Sequence, residues 1–149
     1  MSGGLLLDVN VLVALAWPTH VRHPHVQKWF ARHGRETWVT CPVTQSGFIR
    51  ILSNPSFAPN ALSPVEAIRL LEEIVARPGH RFWPSDIGVV QAIRQFIPRI
   101  QGFRQITDAY LLGLALHHRG KLVTLDQGVP SLLPQKSSER DHVVVIEQP

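Results

Sequence analysis

The chain opens on a continuous apolar run, Leu5-Leu-Leu, closed by Asp8; this is the pattern of a short central strand buried on both faces of a parallel sheet. Asn10 is placed to cap an apolar helix that runs through Ala16, and Trp17-Pro18 ends it. His25 to His33 predicts an amphipathic helix with Val26, Trp29 and Phe30 on one face, stopped by Gly34. Thr37–Cys41 has strand character up to Pro42. Thr44 is the expected cap of a helix from Gln45 to about Leu52, with Phe48, Ile49 and Leu52 turned inward. The residues from Asn54 to Asn60 read as a loop. Ser63-Pro-Val-Glu66 combines an N-cap serine, proline at N1 and glutamate at N3, and starts a helix that reaches about Ala76.

His80–Trp83 predicts a short strand at a sheet edge, and Ser85 or Asp86 is placed to cap a helix through Phe96. After a basic connector over residues 98–104, Thr107 is the expected cap of a helix Asp108–His118, apolar nearly all round and therefore buried, with Gly120 as its stop. Strands follow at Lys121–Leu125 and Val143–Ile146. Strands alternating with helices predict a three-layer α/β/α sandwich around a parallel sheet of four or five strands. With no linker-like shift in composition, residues 1–149 read as a single domain.

Composition narrows the class. A chain of 149 residues, 44% of them hydrophobic, can bury roughly two-thirds of its extended surface and is not a disordered tail. Lys and Arg exceed Asp and Glu by 15 − 11 = +4, which serves solubility and equally draws a polyanion such as nucleic acid. One cysteine, Cys41, excludes a disulfide framework and fits a reducing cytoplasm. The segment from Leu5 to Trp17 has a targeting-like apolar content, but no basic residue precedes it and Asp8 and Asn10 interrupt it. It reads as buried strand and helix. No run reaches the ~18 apolar residues of a membrane span.

The candidate chemistry is acidic. Asp8, Asp108 and Asp126 each stand where a strand hands over to a helix or turn, and ligands of parallel α/β sheets bind beyond the carboxyl ends of the strands. Three carboxylates at one edge repel one another unless a hard cation sits among them, which is the arrangement of a Mg²⁺- or Mn²⁺-dependent phosphodiester hydrolase. Each residue also has a plainer use, since Asp and Asn are good turn and capping residues. Asn10 is placed to orient a ligand or water, and Thr124, two residues before Asp126, to add a hydroxyl. Arg94, Arg99 and Arg104 flank the approach to Asp108, as phosphate holders or as solvated surface. His20, His23 and His25 lack a fourth ligand at zinc spacing, and His117-His118 reads as a favourable pair at a helix C-terminus.

Several segments in order, Leu6-Leu-Asp-Val-Asn-Val-Leu-Val-Ala-Leu15, Cys41-Pro-Val-Thr-Gln-Ser-Gly-Phe-Ile-Arg50, Leu52-Ser-Asn-Pro55, Gly79-His-Arg-Phe-Trp-Pro84 and Arg104-Gln-Ile-Thr-Asp-Ala-Tyr-Leu111, resemble the PIN-domain ribonucleases, in particular the VapC-type toxins of bacterial toxin–antitoxin pairs. The resemblance covers about Leu5 to Asp126. It implies a parallel sheet, an acidic Mg²⁺/Mn²⁺ site, endonucleolytic cleavage of RNA, a homodimer, and inhibition by a co-expressed VapB-like antitoxin. Asp8, Asp108 and Asp126 match three of the family's acidic positions. The fourth departs: many relatives carry Glu where this chain has Gln45, a neutral oxygen donor that cannot act as a general base. Asp86 is the nearby acid able to compensate, unless it caps the following helix. A metal-dependent endoribonuclease toxin is therefore the leading expectation. A PIN-fold RNA-binding or regulatory domain weakened by Gln45 is the alternative. A receiver-type signalling domain needs a mid-chain phosphoacceptor Asp and a Lys on a later strand end, and the chain has no such pair placed correctly.

Overall fold

In the computed structural model, which describes residues 3–33 and 35–148, strand β1 (Leu5–Leu7) lies at the centre of a five-stranded sheet. Beside it run β2 (Trp38–Thr40) and then β3 (His80–Phe82) on one side, and β4 (Lys121–Thr124) and then β5 (Val143–Val145) on the other. Every pairing is parallel, and β1 aligns Leu5, Leu6 and Leu7 with Lys121, Leu122 and Val123 of β4. The alternation of strand side chains splits the interior into two layers. Leu6, Val39 and Leu122 face one core, built with Phe96 and the buried face of α6 (Ile106–His117). Leu5, Leu7, Trp38 and Val123 face the other, under α1 (Val9–Ala16), α2 (His23–His33), α3 (Pro42–Leu52) and α4 (Pro64–Val75). This is the α/β/α sandwich the hydrophobic pattern predicts, with β3 at the expected edge.

The helix ends differ from expectation in informative ways. Asp8, and not Asn10, caps α1: its Oδ1 accepts from Val9 N at 2.7 Å. Asn10 lies inside the first turn, and its side chain is spent on β4. Helix α3 starts at Pro42, with Cys41 at the cap position; Thr44 sits at N3, where its hydroxyl reaches back to the Cys41 amide at 3.0 Å. Ser63 and Glu66 make the expected reciprocal capping box on α4. Neither Ser85 nor Asp86 caps a long helix, because α5 is a short piece (Val89–Ile93) begun at Gly88 and continued as a 3₁₀ segment, Arg94–Arg99. Thr107 is likewise one residue inside α6. The expected stop of α2 at Gly34 falls outside the described residues.

Two glycines are there for close approach. A Cβ on Gly47 would stand 2.8 Å from Val9 Cγ2, so its absence lets α3 lie against the start of α1. At the end of α6 the left-handed residue is Arg119 (φ 58°), while Gly120 gives room to the Trp83 indole and the Gly4 carbonyl. Among the described residues no helix is long and apolar enough to cross a membrane.

Candidate active site

Strands β1 and β4 deliver the heart of the site because their parallel register places Asp8 beside Thr124, one step beyond the Leu7–Val123 pair. The Thr124 hydroxyl donates to Asp8 Oδ2 at 2.7 Å and accepts from the Asp126 amide at 3.1 Å and from Asn10 Nδ2 at 3.4 Å. Asn10 Oδ1 in turn accepts from Leu125 N at 3.2 Å. A threonine with three partners and an asparagine with two thus lock the end of β1 to the end of β4. Asp126 Oδ1 accepts from Gly128 N at 2.7 Å, which folds the loop after β4 back on itself.

Asp108 arrives from a third element. It occupies the first turn of α6, half-buried, and its carboxyl is pushed up to about 7 by burial and by the negative charge of Asp8 and Asp126. Asp8 is almost wholly buried, and burial raises it too; the hydrogen bonds from Thr124 and Val9 oppose the rise and Asp126 adds to it. Among the described residues no Lys, Arg or His forms an ion pair with any of the three. The structure therefore gathers uncompensated carboxylates whose burial and mutual charge disfavour the ionisation of Asp8 and Asp108, and an all-oxygen donor set of this kind suits a hard divalent cation. The grouping is open: among the described residues the three do not bring one oxygen apiece within 4.8 Å of each other. That spacing fits an ion that keeps several of its own waters, as Mg²⁺ does.

Gln45 sits in the first turn of α3, one strand over from Asp8. Its Nε2 donates to Thr40 Oγ1 at 3.0 Å, and that hydroxyl also meets His80 Nε2 at 2.7 Å. Among the described hydrogen bonds none joins Gln45 to the three acids. Asp86 does not compensate for it. Asp86 is held by His118 and His117 at the far end of α6, ten residues on from Asp108 and so about 15 Å along the helix. Partial desolvation works against its ionisation, but the His118 hydrogen bond, its own amide and the two imidazoles keep its carboxyl below the usual range. His20 and His23 are occupied by the backbone of Arg22 and Ala14. Arg94, Arg99 and Arg104 are all exposed, and the Arg104 guanidinium lies over the Phe103 ring.

One residue escaped the sequence reading. A cleft beside the acids is lined by Val9, which follows Asp8, and Thr107, which precedes Asp108, together with Ser46 and Arg50 of α3. Arg50 is the exposed cation of that cleft. The signal available was its place one helical turn beyond Ser46 on α3.

The PIN domain family model matches residues 5–132. The chain is 44% identical over 131 residues to Ribonuclease VapC38 of Mycobacterium tuberculosis, spanning 88% of this chain and 91% of the relative. It is 40% identical to Ribonuclease VapC39 of the same organism over 81% of this chain and 87% of that one. To Ribonuclease VapC44, also of M. tuberculosis, it is 35% identical over 95% of this chain and 98% of the relative.

Proposed function

Because the chain belongs to the PIN-domain family and aligns along most of its length with VapC-type ribonucleases, we propose that it is a divalent-metal-dependent endoribonuclease. It acts as the toxin of a VapBC-type pair, working in the reducing cytoplasm as a homodimer restrained by a VapB-like antitoxin. The observation that carries the reading is the convergence of Asp8, Asp108 and Asp126 without a paired cation, where burial together with the charge of Asp8 and Asp126 pushes Asp108 up to about 7. Asp8, Asp108 and Asp126 are the residues to hold Mg²⁺ or Mn²⁺. The chemistry such an ion supplies when bound is charge neutralisation on the scissile phosphate and activation of a water.

The remaining steps belong to the protein. Thr124 and Asn10 hold the Asp8 carboxylate and the β4 end in fixed relation, so little reorganisation accompanies the reaction. Arg50 in the adjoining cleft is placed to take a phosphate of the RNA strand. Gln45, a neutral group where many relatives have an acid, leaves the proton-accepting role to the three aspartates and orients polar groups through Thr40. A second reading, an RNA-binding domain of weakened catalysis, rests on Gln45 alone.

Cleavage of a structured RNA by purified protein with Mn²⁺ tests the assignment. The native chain should cut, and Asp8→Asn, a near-isosteric change, should lose activity by orders of magnitude while keeping its fold by circular dichroism. Equal cleavage by both proteins would sink the site; RNA binding without cleavage by the native chain would favour the second reading.

A further inference from the structure

The cluster at the far end of α6 is not used by the chemistry above. Asp86 lies in the connector between β3 and α5, His117 is the last residue of α6, and His118 is its C-cap. His118 Nε2 stands 2.9 Å and His117 Nε2 3.6 Å from the same Asp86 oxygen, Oδ1. Among the described residues this is the group in which three metal-ligating side chains offer donor atoms all within 4.8 Å of one another. Donors around a four-coordinate zinc ion, each about 2.1 Å from it, stand about 3.4 Å apart. The two measured separations bracket that value, so shifts of roughly half an ångström bring the donors to ligand distance.

The surroundings favour a site over a chance meeting. The Trp83 indole stacks on the His118 ring at 4.4 Å and 11°, fixing its plane, and the His117 ring stands edge-on to it at 5.2 Å. His118 is 14% exposed, whereas His117 and Asp86 are 40% and 43% exposed, which leaves one side open to a water as a further ligand. Two imidazoles and one carboxylate with an open position are a donor set for a borderline transition metal, unlike the all-oxygen set of the acid cluster.

We propose that Asp86, His117 and His118 form a binding site for a transition-metal ion of the Zn²⁺ class, separate from the acid cluster. The bound ion ties the connector after β3 to the end of α6, replacing the Asp86–His118 hydrogen bond with coordinate bonds. The site does not depend on the nuclease reading, and its test reads binding and not cleavage.

Co²⁺ is the probe, titrated into the full-length native chain and into the His117→Ala, Asp86→Asn and Asp108→Asn variants, with Zn²⁺ as competitor. His117 and Asp86 are exposed, so their replacement leaves the core untouched. The native and Asp108→Asn proteins should develop the visible absorption of low-coordinate, nitrogen-ligated Co²⁺ with one equivalent of metal, and Zn²⁺ should abolish it. His117→Ala and Asp86→Asn should each weaken Co²⁺ binding by roughly tenfold or more. Absorption that survives in His117→Ala, disappears in Asp108→Asn, or never develops in the native chain overturns the proposal. Loss in Asp108→Asn would assign the ion to the acid cluster and leave the nuclease reading standing.

Discussion

Asp108 connects the site to stability through its proton. Its unfolded value lies near 3.8 and its folded value near 7, so the metal-free fold prefers the neutral form. A raised carboxyl contributes stability that is complete below about pH 4 and is lost as pH climbs through 7. Asp8, also raised, acts in the same sense, whereas Asp86, held below 3.8, keeps its full contribution across this window. In metal-free protein this contribution should therefore favour pH 5 over pH 8, against the opposite contribution of His20 and His80, whose rings burial holds toward the neutral form. Discounted for the partial exposure of Asp108, the difference is about 1–2 kcal/mol, or roughly 3–6 °C. Asp108→Asn should remove that contribution from a thermal-melt series across pH; an unchanged series would mean that the fold does not raise the Asp108 carboxyl.

Gln45 allows a sharper residue-scale test. Its amide donates to Thr40 Oγ1, which leaves the threonine proton for His80 Nε2, a ring that burial already holds toward the neutral form. Gln45→Glu reverses the chain: a carboxylate only accepts, so Thr40 must donate to it and His80 Nε2 must carry the proton. The His80 pKa should rise, read by NMR titration of the ring. If the new carboxylate also joins the acid cluster, Mn²⁺ affinity and cleavage should rise with it, because oxygen-ligand sites tighten with ligand charge. A raised His80 pKa with unaltered Mn²⁺ affinity would place Gln45 outside the metal site.

At the scale of elements, the closest joint is Gly47 against Val9. A methyl at Gly47 meets a β-branched side chain that has little freedom to turn away, and Val9 is the residue whose amide binds Asp8. Gly47→Ala should cost about 1–3 kcal/mol in denaturant unfolding and lower cleavage beyond what that loss explains, through displacement of Asp8. Full stability and activity would show that α3 can slide without disturbing the cap. The strands and most of the helices were legible from the apolar pattern, because Leu5–Leu7 and the apolar α6 have no other place to go than the interior, whereas the helix expected through Phe96 is broken into α5 and a 3₁₀ segment. Helix starts were less so. Asp8 and Asn10, or Thr44 and Cys41, offer rival caps two or three residues apart, and the choice is made by what each side chain meets across the sheet. The place of Thr124 beside the acids was readable from its spacing from Asp126. Arg50 and the Asp86–His117–His118 cluster were not, since their partners are joined only by the tertiary packing of α3 and α6.

For the whole molecule, strand order explains why the acids meet. The chain leaves β1 toward β2 and β3 on one side, and β4 and β5 fill the other, so the connections diverge at the β1–β4 boundary where Asp8, Thr124 and Asp126 lie. A crevice opens at such a divergence, and α6 drops Asp108 into it. The layer that carries Asp108 has an apolar outer face. Val89, Val90, Ile97, Phe103 and Ile106 are all exposed along α5, the 3₁₀ segment, the connector after it and the start of α6, and Val89 and Ile106 border one apolar hollow with Ile87 and Tyr110. An exposed apolar strip of this length is costly in water and gains by meeting its own copy across a two-fold axis. The native chain should therefore sediment as a dimer at tens of micromolar (roughly the range in which weak dimers populate). Val89→Asp should shift it to monomer while leaving the melting temperature of the monomer close to that of a diluted native sample. A native chain that stays monomeric throughout that range would remove the homodimer from the proposed function and leave the proposed roles of Asp8, Asp108 and Asp126 as they stand.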